Sequence, residues 1–129
     1  LQASELNIKV IAEIPYPIEK ININTIDLTR ILGIFLDNAI EACKDLDFKE
    51  LNIAFIKISD KVVIVIKNNY DSKHVTLNFK EIFEENYSTK KGNSGIGLAN
   101  VKRILANYQN VNLNTRVEHS YFIQEMEIS

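Results

Sequence analysis

The segment Ile31–Cys43, ILGIFLDNAIEAC, constrains the fold more than any other part of the chain. On a 3.6-residue period, Leu28, Ile31, Leu32, Phe35, Leu36, Ala39, Ile40 and Cys43 share one wide apolar face, which predicts a long helix over residues 28–46 laid against a core. Thr25 or Asp27 is placed to cap its start, because either side-chain oxygen accepts from free N–H groups of a first turn. Asn38 borders the apolar face, and Asp37 and Glu41 occupy a neighbouring one. A like-charged pair four residues apart mildly opposes helix formation unless something outside the helix uses it.

A helix of this kind needs an apolar surface to cover, and the flanking sequence supplies strands. Residues 51–59 and 61–67 are rich in Ile, Val and Phe on either side of Ser59-Asp60 and read as a hairpin. Val62–Ile66 is apolar without alternation, the pattern of an interior strand covered on both faces. Leu6, Ile8, Val10 and Ala12 alternate ahead of Pro15 and Pro17, which suits a strand with one buried face. A short extended piece is expected at 21–24, a loop at 68–78, and one or two helical turns at Phe79–Glu84. Residues 85–95 carry almost no apolar side chains and are expected to be mobile. A second helix follows at 96–108, then a closing hairpin, 111–117 and 120–128, with His119 at its turn. No repeat or linker divides the chain, so residues 1–129 are read as one domain.

Composition excludes several functions. With 15 basic and 17 acidic residues the formal charge is -2, which gives no reason to expect a nucleic-acid partner or contact with an anionic membrane. The single cysteine, Cys43, excludes an internal disulfide and falls on the apolar helix face, so it is read as core; two histidines, His74 and His119, offer no zinc spacing and are read as surface residues. No apolar run is long enough to span a bilayer and no signal peptide opens the sequence, so a reducing, cytosolic setting is expected.

The second informative stretch is Ser88–Asn100, STKKGNSGIGLAN, where Gly92, Gly95 and Gly97, three of the four glycines, precede the second helix. Glycine lets backbone N–H groups approach an anion closely, and a helix N-terminus adds unpaired donors and a positive dipole end. Lys90 and Lys91 add countercharge. This is a phosphate-binding pattern in kind, although no Lys-Ser/Thr pair follows the last glycine as it does in a P-loop.

DNAIEA (37–42) and STKKGNSGIGL (88–98) resemble the asparagine box and second glycine box of the gyrase, heat-shock chaperone, histidine kinase and mismatch-repair ATPase superfamily. Over nearly the whole chain the pattern is similar to the catalytic and ATP-binding domain of a sensor histidine kinase, most of all to the peptide-pheromone quorum-sensing branch, as in the staphylococcal accessory gene regulator system. The resemblance implies a two-layer α/β sandwich of the Bergerat type: a mixed, mostly antiparallel sheet with helices on one face, and ATP between the long helix and a lid. It implies that Asn38 helps hold Mg²⁺ bridging the nucleotide phosphates, that the backbone of Gly95 and Gly97 lies against those phosphates, that Gly92 and Leu98 also belong to the ATP site, that Lys90 and Lys91 belong to the lid, and that Phe83 anchors the lid's base. It further implies a cytoplasmic domain of a membrane receptor, whose histidine-bearing dimerisation domain receives the γ-phosphoryl group and whose response regulator acts downstream.

Two departures from the family pattern matter. Four residues before Asn38, where hydrolysing members carry a glutamate base, stands Ile34. A kinase needs no base there, since an acceptor histidine is itself the nucleophile; a serine kinase of the anti-sigma-factor type, the rival enzyme, resembles the hydrolysing members instead. Where the family has Asp-x-Gly-x-Gly, the chain has Asn68, Asn69, Tyr70 and Asp71. An asparagine carbonyl accepts the adenine amino hydrogen bond without the charge, and Asn68, Asn69 and Asp71 are all candidates for that task. The missing glycines also leave room for a docking module that has lost nucleotide.

Overall fold

Asn24 sets the start of the long helix. In the computed structural model, which describes residues 8–13, 20–73 and 97–129, Asn24 Oδ1 accepts from Ile26 N at 2.8 Å and from Asp27 N at 3.4 Å. These are N–H groups that helix geometry leaves without an internal partner. Helix α1 then runs Thr25–Cys43. The expected caps, Thr25 and Asp27, are both already helical, and the Asp27 carboxylate instead accepts from the Tyr108 hydroxyl at 2.6 Å. The helix also stops short of residue 46, in a turn where Leu46 N donates to Cys43 O at 3.0 Å. Residues 21–24 form a bend rather than an extended piece, with Ile23 N donating to Ile21 O.

Five strands make one sheet: β1 (Lys9–Glu13), β2 (Glu50–Ile58), β3 (Lys61–Asn69), β4 (Val111–Glu118) and β5 (Tyr121–Ile128), in the order β1-β2-β3-β5-β4. Only β1 and β2 pair in parallel, so the sheet is mixed and mostly antiparallel, as expected. Both hairpins turn through a residue in the left-handed region, Ser59 (φ 55°) between β2 and β3 and His119 (φ 57°) between β4 and β5. The second helix, α2, covers Gly97–Leu105 and leads through a turn, with Tyr108 N bonded to Leu105 O, into β4. Helix α1 packs on β3 and against α2, which puts both helices on one side of the sheet.

The core lies between these layers. From α1 it takes Ile31, Phe35, Ala39, Ile40 and Cys43, with Ile31 and Cys43 fully buried, and from the sheet Leu51, Val62, Ile64, Ile66, Met126 and Ile128. Fully burying one such aliphatic or aromatic side chain stabilises the fold by about 1.5–3 kcal/mol. Strand β3 is central, but cover on both faces is not what it has: Val62, Ile64 and Ile66 are buried toward the helices, whereas Val63 and Val65 are only half-buried on the other side. An unbroken apolar run marks a strand interior to the sheet without fixing the number of layers over it. The ends of the core are tied by polar contacts. Tyr108 Oη also accepts from Asn24 N at 3.2 Å, and Asn110 Nδ2 donates to Asn22 O at 2.8 Å and to Ser129 O at 3.2 Å, joining the entry to α1 to the last strand. The expected turns at 79–84, the segment 85–95 and His74 lie outside the described residues.

Two outcomes follow from this architecture. Gly33 is exposed in mid-helix, and a β-carbon there meets no atom within 4 Å. Gly33→Ala therefore raises stability by about 0.5–1 kcal/mol, read as a higher denaturant midpoint at constant slope. Tyr108 holds its proton more tightly than a free phenol of pKa 10.0, chiefly because it donates to Asp27, with desolvation and the Asp27 charge adding and the Asn24 N–H opposing. A pKa raised by folding gives stability that is complete below the unfolded value and is lost as pH rises through the folded one. Thermal melts from pH 9 upward should show an alkaline loss that is smaller in Tyr108→Phe.

Candidate functional site

Pairing registers line up the helix-facing residues in rows across the sheet, and the rows change character toward one end. Val62 opposes Ile128 and Ile64 opposes Met126, so two rows are apolar under α1. The next pairs Ile66 with Gln124, which in turn opposes Thr115, and the last pairs Asn68 with Leu51 and Phe122. At that polar end α1, β3, β5 and α2 meet around a small pocket of about 10 Å³, room for about one water molecule, lined by Phe35, Asn38, Ala39, Ile66, Asn68, Leu98, Phe122 and Gln124.

Each polar group reaches the cleft for a local reason. Asn38 lies one turn after the buried Phe35 and Ile34, on the border of the apolar stripe, and is half-buried. Gly97, the first residue of α2, lies directly against it: a β-carbon there would stand 3.0 Å from Ile34 Cγ2 and 3.8 Å from both amide atoms of Asn38. Ile34, which occupies the place of a possible base, is thus a packing residue beneath the α2 N-terminus. The close approach brings the positive end of a helix dipole and its free N–H groups beside the Asn38 amide. Leu98 follows on α2 and lines the cleft.

The two adjacent asparagines at the end of β3 are separated by strand alternation. Asn68 faces the helices and is 2 % exposed; its Nδ2 donates to Asn69 O at 3.0 Å, and no described residue donates to its Oδ1. Asn69 faces the other way and is used at both ends of its amide, accepting from Glu50 N at 2.9 Å and donating to Phe48 O at 2.6 Å. It closes the start of β2 onto β3 and has no place in the cleft. Asp71 stands beyond the strand and does not line the cleft. Neither does exposed Asp37, and Glu41 pairs along its own helix with Lys44 at 3.0 Å, a surface contact worth roughly 0–1 kcal/mol.

One lining residue was not read from the sequence. Gln124 is 3 % exposed, its Oε1 accepts from Thr115 Oγ1, and its Nε2 is buried without a partner. Leaving such a donor unsatisfied costs on the order of 1–3 kcal/mol. The available signal was phase: in YFIQEMEI, Gln124 shares the inward face with Phe122, Met126 and Ile128. Among the described residues no cluster of three carboxylate, imidazole or thiol groups is arranged for a metal. A Mg²⁺ ion held largely by phosphate and water oxygens needs only a single protein oxygen such as Asn38 Oδ1. The chemistry of the lining, an amide acceptor, an amide donor and a glycine backbone against a third amide, is of the kind a nucleotide with its metal engages. Lys90, Lys91, Gly92, Gly95 and Phe83 lie outside the described residues.

Comparison with known proteins bears on the family and the fold. A family model described as GHKL domain matches residues 23–129. No curated protein matches the chain. Among solved structures, a nucleotide-free catalytic domain of the histidine kinase ThkA is 20% identical over 98% of this chain and 81% of its own, with a TM-score of 0.80. ThkA in complex with the response regulator TrrA is 18% identical over 98% of this chain and 35% of that one, with a TM-score of 0.75. Full-length ShkA in complex with AMPPNP is 20% identical over 98% and 26%, with a TM-score of 0.75. At these identities the likeness shows the fold: the five-stranded sheet and two helices match those of histidine kinase catalytic domains.

The contact at Gly97 gives a direct test of the site's construction. Gly97→Ala places a methyl group against Ile34 and should cost about 1 kcal/mol, within the usual range for overpacking. Ile34→Ala removes the opposing methyl, so in the double variant the penalty of the alanine at 97 should be absent, as read from a double-mutant cycle of urea unfolding.

Proposed function

The chain belongs to the GHKL domain family, and on that premise we propose that it is the ATP-binding catalytic domain of a sensor histidine kinase of the peptide-pheromone quorum-sensing type. The observation that carries the reading is the seating of the Gly97 backbone against Asn38 at the polar end of the helix–sheet core. It supplies helix N-terminal donors and an amide oxygen at one point, as the phosphates of a nucleoside triphosphate and its metal require. The AMPPNP complex of ShkA supports a nucleoside triphosphate as the ligand.

In this reading the adenine enters between α1 and the sheet, with Asn68 Oδ1 accepting from its amino group, and the phosphates run along the N-terminus of α2. Asn38 Oδ1 would hold Mg²⁺, which when bound would neutralise charge on the phosphate oxygens. The resemblance of the sequence assigns Gly92, Gly95, Lys90 and Lys91 to phosphate binding as well. The chain itself supplies position and charge balance, the main resources of phosphoryl transfer. The nucleophile is a histidine on a separate dimerisation domain, and a response regulator takes the phosphoryl group in turn; the ThkA–TrrA complex supports a partner of that class. Ile34 disfavours the serine-kinase alternative, because a side chain packed under Gly97 leaves no base at that position.

Isothermal titration of Mg·ATP should show binding by the unaltered chain and at least about tenfold weaker binding by Asn38→Ala, the loss of one charge-assisted contact. Equal binding by both would remove Asn38 from its role. Absence of binding at millimolar nucleotide would leave the docking-module reading.

A further inference from the structure

We propose that Gln124 reads the base: its Nε2 donates to N1 of adenine while Asn68 Oδ1 accepts from the N6 amino group, so that the two amides together select adenine over guanine. The inference rests on the nucleotide reading above and adds to it a residue and a specificity.

Two independent observations carry it. The first is the orphaned donor. Gln124 is 3 % exposed, lines the same cleft as Asn38, Asn68 and Leu98, and is fixed at its Oε1 by Thr115, which leaves Nε2 without a protein partner. Buried amide donors are nearly always paired with protein, water or ligand. The second is the position of a complementary acceptor. Asn68 is 2 % exposed and commits Nδ2 to the Asn69 carbonyl, so that Oδ1 is the atom left for a ligand. Gln124 opposes Ile66 and Asn68 opposes Phe122, which makes the two amides diagonal neighbours on one face of adjacent strands. At that spacing, about 7–8 Å between backbones, long side chains still act together.

The order of the groups determines the choice of base. The hydrogen-bonding edge of adenine offers a donor at N6 next to an acceptor at N1, and the cleft answers with an acceptor and a donor. Guanine presents an acceptor at O6 and a donor at N1, so both contacts would become like against like. Desolvated mismatches of this kind discriminate more strongly than a missing methylene does, because the site's own polar groups are left unpaired. Thr115 Oγ1 donates to Gln124 Oε1 and so leaves Nε2 as the end available to a base, which makes Thr115 a positioning residue for the same task.

The test compares Mg·ATP, Mg·GTP and Mg·1-deaza-ATP, in which N1 is replaced by C–H, by equilibrium titration with the unaltered chain and with Gln124→Met, a variant of similar volume. The unaltered chain should bind ATP at least tenfold more tightly than GTP and about tenfold more tightly than 1-deaza-ATP. In Gln124→Met, ATP should weaken by a similar factor and the difference between ATP and 1-deaza-ATP should vanish. Should Gln124→Met fail to fold, Gln124→Glu, whose carboxylate cannot donate, takes its place in the same comparison. Equal affinity of the unaltered chain for ATP and 1-deaza-ATP, a preference for GTP, or an undiminished 1-deaza penalty in the variant would each overturn the role of Gln124 while leaving ATP binding intact. Failure of the folded chain to bind any of the three nucleotides would overturn the underlying nucleotide reading instead.

Discussion

The structure depends on how far one helical stripe extends over one sheet. Ile31, Phe35 and Ala39 of α1, which packs on β3, form one buried cluster with the inward residues of β3 and β5, and that hydrophobic contact holds the two layers together. That contact is apolar where Val62, Ile64, Met126 and Ile128 lie below it, and it ends where Asn68 and Gln124 replace them. A cleft results because polar side chains at inward positions cannot be packed into the core without partners. The stability of the molecule and the chemistry of its site are therefore set along the same two elements, a few residues apart.

Polar tethers then fix the geometry at either end. At the N-terminus of α1, Asn24 caps the helix while Tyr108 joins it to the turn after α2, and Asn22 and Asn110 tie the same region to the last strand. At the other end Asn69 clamps the entry of β2. With α1 restrained at its start, and α2 joined to it by Ile34 against Gly97, the orientation of Asn38 is built on rigid elements rather than on a loop. Side chains carried on packed helices and strands are held more precisely than side chains on loops. The alternating faces of β3 divide its terminal asparagines between these two duties, one for the cleft and one for the frame.

Much of this was legible before any coordinates. The helical stripe, both hairpins with their turns at Ser59-Asp60 and His119, and the second helix follow from periodicity and turn chemistry, and they recur in the structure with shifts at their ends. The cap at Asn24 was missed because Thr25 and Asp27 are equally good cap types, and only the position of the first helical residue separates them. The half-open outer side of β3 was missed because an apolar run reports placement within a sheet but not how many layers cover it. Of the residues that meet at the polar end, Asn38, Gly97 and Leu98 were singled out by motif and spacing, whereas Gln124 was not: one glutamine in an alternating strand is ordinary until its opposite neighbours are known.

What the sequence determined by itself was the set of parts: an amphipathic helix with an amide at its border, a glycine-rich approach to a second helix, and strands enough for one sheet. These are local properties, since helix and strand periods, turn residues and glycine content act over a few positions. What only the tertiary structure decided was which parts meet. Whether Asn68 or Asn69 faces the helices depends on a one-residue phase that pairing with β2 and β5 fixes, and the meeting of Gly97 with Asn38 joins residues 59 positions apart. The same holds for Gln124, where the place of β5 between β3 and β4 sets Thr115 at one end of the amide and leaves the other buried without a partner beside the pocket.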